Sequence, residues 1–123
     1  MTIAPLICVV DDDEAVRTGT ESLVRSMGYK VEAFASAREF LQSGKAAESA
    51  CVVTDVQMPG MNGLELQSAL RRDGLATPVI FITAFPDASV RERALGDGAS
   101  CFLTKPFEID SLVECIERVI AKT

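Results

Sequence analysis

Short apolar runs alternate along the chain with segments of helical periodicity. The five runs are Leu6 to Val10, Tyr29 to Phe34, Cys51 to Thr54, Pro78 to Ile82 and Cys101 to Leu103. Each run has the length of a strand, and the segments between them repeat apolar residues every three or four positions. Alternating strands and helices are typical of a parallel β-sheet with crossover helices. The pattern predicts one α/β domain that occupies residues 1–123.

The helical segments differ in the strength of their apolar faces. The first has one face formed by Val16, Thr20, Leu23, Val24 and Met27, and Gly28 ends it as a C-cap residue would. The last, from Ile109 to Ile120, is strongly amphipathic. Between them the pattern predicts a short helix from Ser36 to Leu41, a helix carrying Leu66, Ala69 and Leu70, and a weakly amphipathic helix from about Val90 to Leu95.

The second apolar run alternates polar Lys30 and Glu32 with apolar Val31 and Ala33. This alternation predicts a strand with one exposed face or a strand at the edge of the sheet.

The composition indicates an acidic globular domain. Of 123 residues, 48% are hydrophobic and 24% charged, and the formal net charge is −6. Negative charge opposes binding to phosphate backbones, so we expect no direct contact with nucleic acid. The apolar runs are far shorter than the ~20 residues of a membrane span. Because the N-terminal segment also lacks the positive start of a signal peptide, we expect a cytoplasmic protein with no membrane partner.

Histidine is absent and cysteine is scattered. The lack of histidine excludes Ser-His and Cys-His catalysis and histidine metal ligation within this chain. The four cysteines, Cys8, Cys51, Cys101 and Cys115, lack the paired spacing of zinc sites, and three of them lie in or beside apolar runs. We therefore expect buried, reduced thiols rather than disulfides or a cysteine metal site.

Polar residues follow four of the five apolar runs, where each strand is predicted to end. Asp11 and Asp12 follow the first run, Asp55 the third, Thr83 the fourth and Lys105 the fifth. Strands of a parallel sheet with right-handed crossovers point the same way, so these residues should meet along one edge. Ligands bind at this edge in open α/β sheets. The spacing thus predicts one polar pocket.

The residue types in this pocket suit phosphoryl transfer. Three neighbouring carboxylates repel one another unless a cation neutralises them, and an all-oxygen ligand set without histidine or thiolate matches Mg²⁺. A carboxylate can attack phosphorus to form an aspartyl phosphate if the charge on the transferring group is neutralised. A lysine ammonium and a threonine hydroxyl can contact the remaining phosphoryl oxygens.

Four segments resemble the motifs of bacterial response-regulator receivers. They are VVDDDEAVR at Val9 to Arg17, VVTDVQMPGMNG at Val52 to Gly63, FITA at Phe81 to Ala84 and FLTKPF at Phe102 to Phe107. The resemblance covers essentially the whole chain and is nearest to the FixJ and NarL type, whose receivers usually precede a helix-turn-helix domain. It implies a CheY-like, flavodoxin-like fold: a five-stranded parallel sheet of order 2-1-3-4-5, doubly wound with five helices.

The resemblance also implies a role for each pocket residue. Asp55 would be the phosphoacceptor. Asp12 would bind Mg²⁺ directly, with Asp11 assisting and the Gln57 backbone carbonyl as a further ligand. Lys105 would pair with the phosphoryl group, Thr83 would move toward it, and Phe102 would then turn inward. The Lys105-Pro106 peptide bond is expected to be cis.

We therefore expect a phosphorylation switch. A cognate sensor histidine kinase would phosphorylate Asp55 and so alter the face formed by the fourth helix, fifth strand and fifth helix. That change would control a homodimer or a C-terminal helix-turn-helix output domain beyond this chain, and so transcription. The chain would catalyse only its own phosphoryl transfer and slow autodephosphorylation.

Each pocket residue also has a plainer interpretation when taken alone. Asp11 and Asp12 could cap the first helix, Thr83 could be an ordinary strand-end residue, Phe102 a core aromatic and Lys105 a solvated turn residue. Their common register favours the functional interpretation. Pro86 stands where the family's loop often has glycine, which should restrict the movement of that loop.

Two other classes of function compete with the switch. Phosphatases of the haloacid-dehalogenase type also use an aspartyl phosphate, Mg²⁺ and a lysine, but they place a second acid two residues beyond the nucleophile, where this chain has Gln57. The other alternative is an interaction module that uses the same face without phosphorylation, against which the intact Asp12, Asp55, Thr83 and Lys105 argue.

Overall fold

A computed structural model describes residues 4–121, which form one parallel sheet with helices on both faces. The strands are β1 (Leu6–Val10), β2 (Lys30–Phe34), β3 (Ser49–Asp55), β4 (Val79–Thr83) and β5 (Cys101–Thr104). Their spatial order is β2-β1-β3-β4-β5, and all four pairings are parallel. The predicted order is therefore confirmed, with β2 at an edge as its alternating pattern indicated.

Within the described residues, four α-helices connect the strands and a fifth follows β5. They are α1 (Glu14–Ser26), α2 (Ala37–Gln42), α3 (Gly63–Arg72), α4 (Ala88–Gly96) and α5 (Ile109–Ala121). A short 3₁₀-helix, Ala46–Glu48, lies between α2 and β3. Within residues 4–121, no helix combines the length and apolarity needed to cross a membrane.

Side chains at the helix N-termini satisfy backbone N–H groups that would otherwise lack partners. The Asp13 carboxylate accepts from the Val16 N–H, and the Ser36 hydroxyl oxygen accepts from the Glu39 N–H. Asn62 forms a reciprocal capping box with Glu65 at the start of α3. These caps fix the points at which the chain leaves each strand-end loop and enters a helix.

Alternation along the central strands divides the core into two layers. Cys8 and Val10 face α2, α3 and α4, whereas Ile7 packs with buried residues of α1 and α5. The helix α5 contributes Leu112, Cys115, Ile116 and Val119 to its layer. By contrast, α4 buries Ala94 alone among its side chains, as its thin apolar face predicted. The weakly anchored α4 lies next to the carboxyl end of β4 and β5.

The expectation of four reduced thiols is wrong for one pair. Cys101 at the start of β5 and Cys115 in the middle of α5 are joined as a disulfide, with their Cα atoms 6.4 Å apart. The sequence did not predict this disulfide, because two cysteines 14 residues apart come together here only when α5 packs against β5. Cys8 and Cys51 are buried free cysteines, as expected.

Gly63 at the start of α3 packs directly beneath the end of β3. Its N–H donates to the Val56 carbonyl at 2.8 Å. A Cβ atom at this position would overlap the Asp55 carbonyl oxygen and crowd the Phe81 ring. The absence of a side chain at residue 63 therefore determines where the backbone of Asp55 can lie.

Replacing Gly63 with alanine is expected to destabilise the domain by about 1–3 kcal/mol, because the new methyl group must displace backbone. Gly19→Ala is the matched control, since Gly19 lies inside α1 with open space around it, and it should instead stabilise by about 0.5–1 kcal/mol. Urea unfolding of both variants measures the difference, and equal effects of the two substitutions would contradict this packing.

Candidate functional site

The carboxyl ends of three strands bring acidic side chains and a lysine into one pocket. Asp11 directly follows β1, Asp55 is the last residue of β3 and Lys105 directly follows β5. Carboxylate oxygens of Asp11, Asp12 and Asp55 all lie within 4.8 Å of one another. Residues separated by more than forty positions thus meet because parallel strands end at the same edge.

Lys105 bridges the two buried acids of this cluster. Its Nζ donates to Asp55 Oδ2 at 2.8 Å and to Asp11 Oδ2 at 3.1 Å. Burial of the ammonium lowers the pKa of Lys105, but its hydrogen bonds to Asp55 and Asp11 outweigh that effect and raise the pKa above 10.5. The side chain therefore remains a cation at neutral pH, in contact with the carboxylate that would react.

Asp11 is fully buried and held in place by the backbone around it. Its Oδ1 accepts from the Asp13 N–H at 2.9 Å, and its carbonyl accepts from the Arg17 guanidinium at 2.9 Å. Burial raises the pKa of Asp11 above its usual value, although the Asp13 and Lys105 hydrogen bonds oppose the shift. An ionised Asp11 thus carries a desolvation cost that a bound cation would offset.

Asp55 and Asp12 differ from Asp11 in their access to solvent. Asp55 is 7% exposed, and its Oδ1 accepts from the Gln57 N–H at 3.1 Å, which fixes the orientation of the carboxylate. Asp12 is exposed at the rim. A ligand can therefore approach the cluster past Asp12 and meet the partly open Asp55 carboxylate.

Thr83 reaches the same edge from β4, but its hydroxyl is already engaged. Thr83 is fully buried, and its Oγ1 donates to the Gln57 Oε1 at 2.6 Å while accepting from the Phe85 N–H at 3.1 Å. The sequence predicted a role for Gln57 only through its backbone carbonyl. The hydrogen bond between the Gln57 side chain and Thr83 was not predicted, because the sequence of a loop does not show which hydroxyl its glutamine will contact.

Phe102 in β5 lies on the α4 side of the sheet. Its ring is half-buried and packs against Phe81, with the ring centroids 6.2 Å apart. Pro86, Arg91 and Thr104 line a groove beside it. Phe85, two residues beyond Thr83, is 70% exposed. The aromatic ring of Phe102 therefore has space on its outer side and a core partner on its inner side.

The Lys105-Pro106 peptide bond is cis, as the resemblance implied. The backbone N–H of Lys105 donates to the Thr83 carbonyl at 2.7 Å, which extends the pairing of β5 with β4 by one residue. This contact places Lys105 beside the acids.

The donor set fits a hard divalent cation. Three carboxylates supply only oxygen atoms, and the chain has no histidine. Such a set favours Mg²⁺, which prefers carboxylates and retained waters over nitrogen or sulfur ligands. When all three acids are ionised, Lys105 neutralises one charge and leaves two, which matches the charge of Mg²⁺. Exposed Asp12 gives the ion a route to the buried carboxylates.

Comparison with known proteins identifies the family. Residues 7–117 match the response regulator receiver domain. The chain belongs to the response regulator receiver family. It is 41% identical over 111 residues to Nodulation protein W of Bradyrhizobium diazoefficiens, covering 90% of this chain and 49% of that protein. It is 38% identical over 120 residues to the transcriptional regulatory protein FixJ of the same species, covering 98% of this chain and 58% of FixJ.

A solved structure of response regulator StyR is similar to this receiver domain. The two superpose with a TM-score of 0.89 at 42% identity, over 96% of this chain and 60% of StyR. The chain thus spans about half the length of the curated relatives it matches. Some of the curated relatives are named as response regulators, such as TodT, and others as transcriptional regulatory proteins, such as TdiR and FixJ. The comparisons support neither a haloacid-dehalogenase phosphatase nor a constitutive interaction module.

Mg²⁺ is expected to stabilise the receiver domain, and to do so more strongly at pH 7.5 than at pH 4.5. At a concentration ten times its Kd, Mg²⁺ should add about 1.4 kcal/mol to the free energy of unfolding at pH 7.5. The raised pKa of Asp11 means that this carboxyl keeps its proton to higher pH, and a protonated ligand binds Mg²⁺ poorly, so the gain should shrink as pH falls.

Thermal unfolding with and without Mg²⁺ at the two pH values measures this effect. Asp12→Asn should lose most of it, whereas Asp13→Asn should keep it, because Asp13 caps α1 outside the cluster and asparagine caps equally well. A response of Asp12→Asn to Mg²⁺ as large as that of the wild type would show that the ion does not bind at this cluster.

Proposed function

We propose that residues 1–123 form the receiver domain of a two-component response regulator and accept a phosphoryl group on Asp55. The observation that carries this proposal is the position of the Asp55 carboxylate, which contacts the Lys105 ammonium and lies within 4.8 Å of the Asp11 and Asp12 carboxylate oxygens. A nucleophile, a cation and a metal-binding acid pair therefore share one pocket.

Each residue has a distinct task in the proposed reaction. An Asp55 carboxylate oxygen attacks the phosphorus of a phosphohistidine, and the phosphorus–nitrogen bond to the imidazole breaks as the new acyl phosphate bond forms. Bound Mg²⁺, held by Asp11, Asp12, Asp55 and the Gln57 carbonyl, would neutralise charge on the transferring group. Lys105 moves from the carboxylate to a phosphoryl oxygen, which keeps a charge-assisted hydrogen bond throughout.

The residues of the pocket favour a phosphorylation switch rather than an enzyme that repeatedly hydrolyses a phosphorylated substrate. Hydrolysis of an acyl phosphate is accelerated by a general base that activates water. The residue two positions beyond Asp55 is Gln57, an amide that cannot take a proton and that already accepts the Thr83 hydroxyl. We therefore infer that the chain catalyses only its own phosphorylation and slow autodephosphorylation.

Phosphorylation would act on the outer face through Thr83. The phosphoryl group competes with Gln57 for the Thr83 hydroxyl, and movement of Thr83 toward it lets Phe102 turn further inward against Phe81. This changes the surface formed by α4, β5 and α5. Pro86 restricts the loop before α4, so the movement is concentrated in the side chains.

A homodimer is one outcome that this surface supports. Two exposed arginines, Arg91 and Arg93, lie on α4, and two exposed acids, Asp110 and Glu114, lie on α5. Two copies related by a twofold axis could pair these opposite charges. The matching relatives are about twice as long as this chain. A C-terminal helix-turn-helix output domain would therefore be the other partner that the altered surface controls.

The phosphodonor is proposed to be a cognate sensor histidine kinase in the cytoplasm. A groove of about 610 Å³ runs between α1 and the loop after β5, lined by apolar side chains such as Leu23, Phe107 and the 60% exposed Ile109. Lys105 lines both this groove and the acidic pocket. A kinase helix seated in the groove would therefore present its phosphohistidine to Asp55.

Incubation with Mg²⁺ and acetyl phosphate tests the phosphoacceptor. The wild-type chain should gain the mass of one phosphoryl group, Asp55→Asn should gain none, and Asp13→Asn should behave as wild type because its carboxylate lies outside the cluster. Intact-mass spectrometry measures all three. Phosphorylation of Asp55→Asn to the wild-type extent would refute the assignment.

Removal of the Gln57 side-chain acceptor should favour the switched state. In Gln57→Leu the Thr83 hydroxyl loses a competing partner, so beryllofluoride, a phosphoryl mimic, is expected to bind roughly 3–10-fold more tightly, the factor for one hydrogen bond of about 1 kcal/mol.

A double-mutant cycle isolates this contact. In a Thr83→Ala background, Gln57→Leu should leave beryllofluoride affinity unchanged, because the hydroxyl is already absent. Titration calorimetry measures the four affinities. An equal effect of Gln57→Leu with and without Thr83 would show that the hydrogen bond does not restrain the switch.

A further inference from the structure

The disulfide between β5 and α5 lies beneath an exposed arginine. Arg118, one helical turn beyond Cys115, places its Nη2 2.9 Å from the Cys101 sulfur and 3.8 Å from the Cys115 sulfur. Each cysteine is 6% exposed, and Arg118 is exposed on the surface of α5. A guanidinium beside sulfur favours the thiolate, which is the form of cysteine that reacts. These two sulfurs therefore lie in a reactive environment close to solvent.

The other two cysteines provide a contrast within the same chain. Cys8 and Cys51 are fully buried in the central strands. Burial raises the pKa of Cys8 to about 11 and that of Cys51 to about 12, so both remain protonated thiols at neutral pH. Neither has a neighbouring arginine among its hydrogen-bond partners in the described chain. Of the four cysteines, Cys101 and Cys115 are thus the pair with an arginine beside the sulfur atoms.

We propose that Cys101 and Cys115 form a reversible redox site that ties β5 to α5 when oxidised. The Cys101 thiolate attacks a hydroperoxide, takes one oxygen as a sulfenic acid and releases water or an alcohol after protonation. The Cys115 thiol then attacks that sulfur, closes the disulfide and releases the oxygen as water. A cellular dithiol reverses the step by thiol–disulfide exchange, with its own oxidation to a disulfide.

Reversibility follows from the environment of the pair. In the cytoplasm, where this chain is proposed to act, dithiols and glutathione keep most thiols reduced, and disulfides there are mainly transient. The Cα spacing of 6.4 Å in the bonded pair lies inside the range that disulfides span, so the folded chain accommodates the bond. Oxidation and reduction can therefore both occur on the folded chain.

The site lies within the face proposed to change on phosphorylation. Cys101 points toward α5, whereas the next residue, Phe102, points toward α4 because side chains alternate along a strand. A covalent tie from Cys101 to α5 fixes the position of β5 against that helix. The oxidised chain should accordingly have a more rigid β5–α5 unit than the reduced chain.

Peptide mapping of the wild-type chain tests the site directly. Cys101 and Cys115 fall in one tryptic segment, residues 94–118, because trypsin does not cut before Pro106, while Cys8 and Cys51 fall in others. After reduction and brief exposure to hydrogen peroxide, this segment should lose the mass of two hydrogen atoms and resist alkylation. Dithiothreitol should restore alkylation of both cysteines.

A pair of Arg118 variants tests the effect of the guanidinium on the oxidation rate, and hydrogen exchange measures the effect of the bond on β5 and α5. Arg118→Leu should slow oxidation roughly fivefold, and Arg118→Lys should retain nearly the wild-type rate, because a partly exposed charge contributes about that factor. Backbone amides of β5 and α5 should exchange hydrogen more slowly in the oxidised chain than in the reduced one. Unchanged alkylation after peroxide, a bond between chains instead of within one, or a bond that dithiothreitol does not reverse would overturn the proposal.

Discussion

The charge balance at the carboxyl edge of the sheet is the constraint on which the rest of the molecule depends. Three carboxylates meet there, one of them fully buried, and a single ammonium contacts two of them. Such an arrangement is unfavourable without further positive charge, and that imbalance is what gives the pocket its affinity for a cation and a phosphoryl group. The buried core layers, the helix caps and the close packing of Gly63 under Asp55 hold these like charges together.

Much of the fold could be predicted from local pattern because buried parallel strands and amphipathic helices leave clear periodicities. The first and last residues of the strands and helices were predicted less accurately. The strand β3 runs from Ser49 to Asp55, longer than its apolar run, because pairing with β1 and β4 extends it beyond the residues that are obviously apolar. Similarly, α4 begins at Ala88, two residues before its first large apolar residue, since Asp87 provides the cap.

The site was predictable to the extent that backbone topology determines it. Parallel strands bring Asp11, Asp55 and Lys105 together whatever the rotamers of their neighbours. Contacts between side chains could not be predicted from the sequence. The Gln57 contact with Thr83 and the bond between Cys101 and Cys115 depend on how a loop and a helix pack against the sheet, and neither residue pair has a spacing that signals contact.

A crystal structure of the chain with Mg²⁺ and beryllofluoride would show whether the acids and Lys105 form one site for metal and phosphoryl group. Beryllium should be bound to an Asp55 carboxylate oxygen, with a metal ion among Asp11, Asp12 and Asp55. The Lys105 ammonium should have moved to a fluoride, and the Thr83 hydroxyl should have left Gln57. A structure in which the beryllofluoride lay elsewhere, or in which Lys105 kept both of its carboxylate contacts with the metal absent from the acids, would contradict this single site.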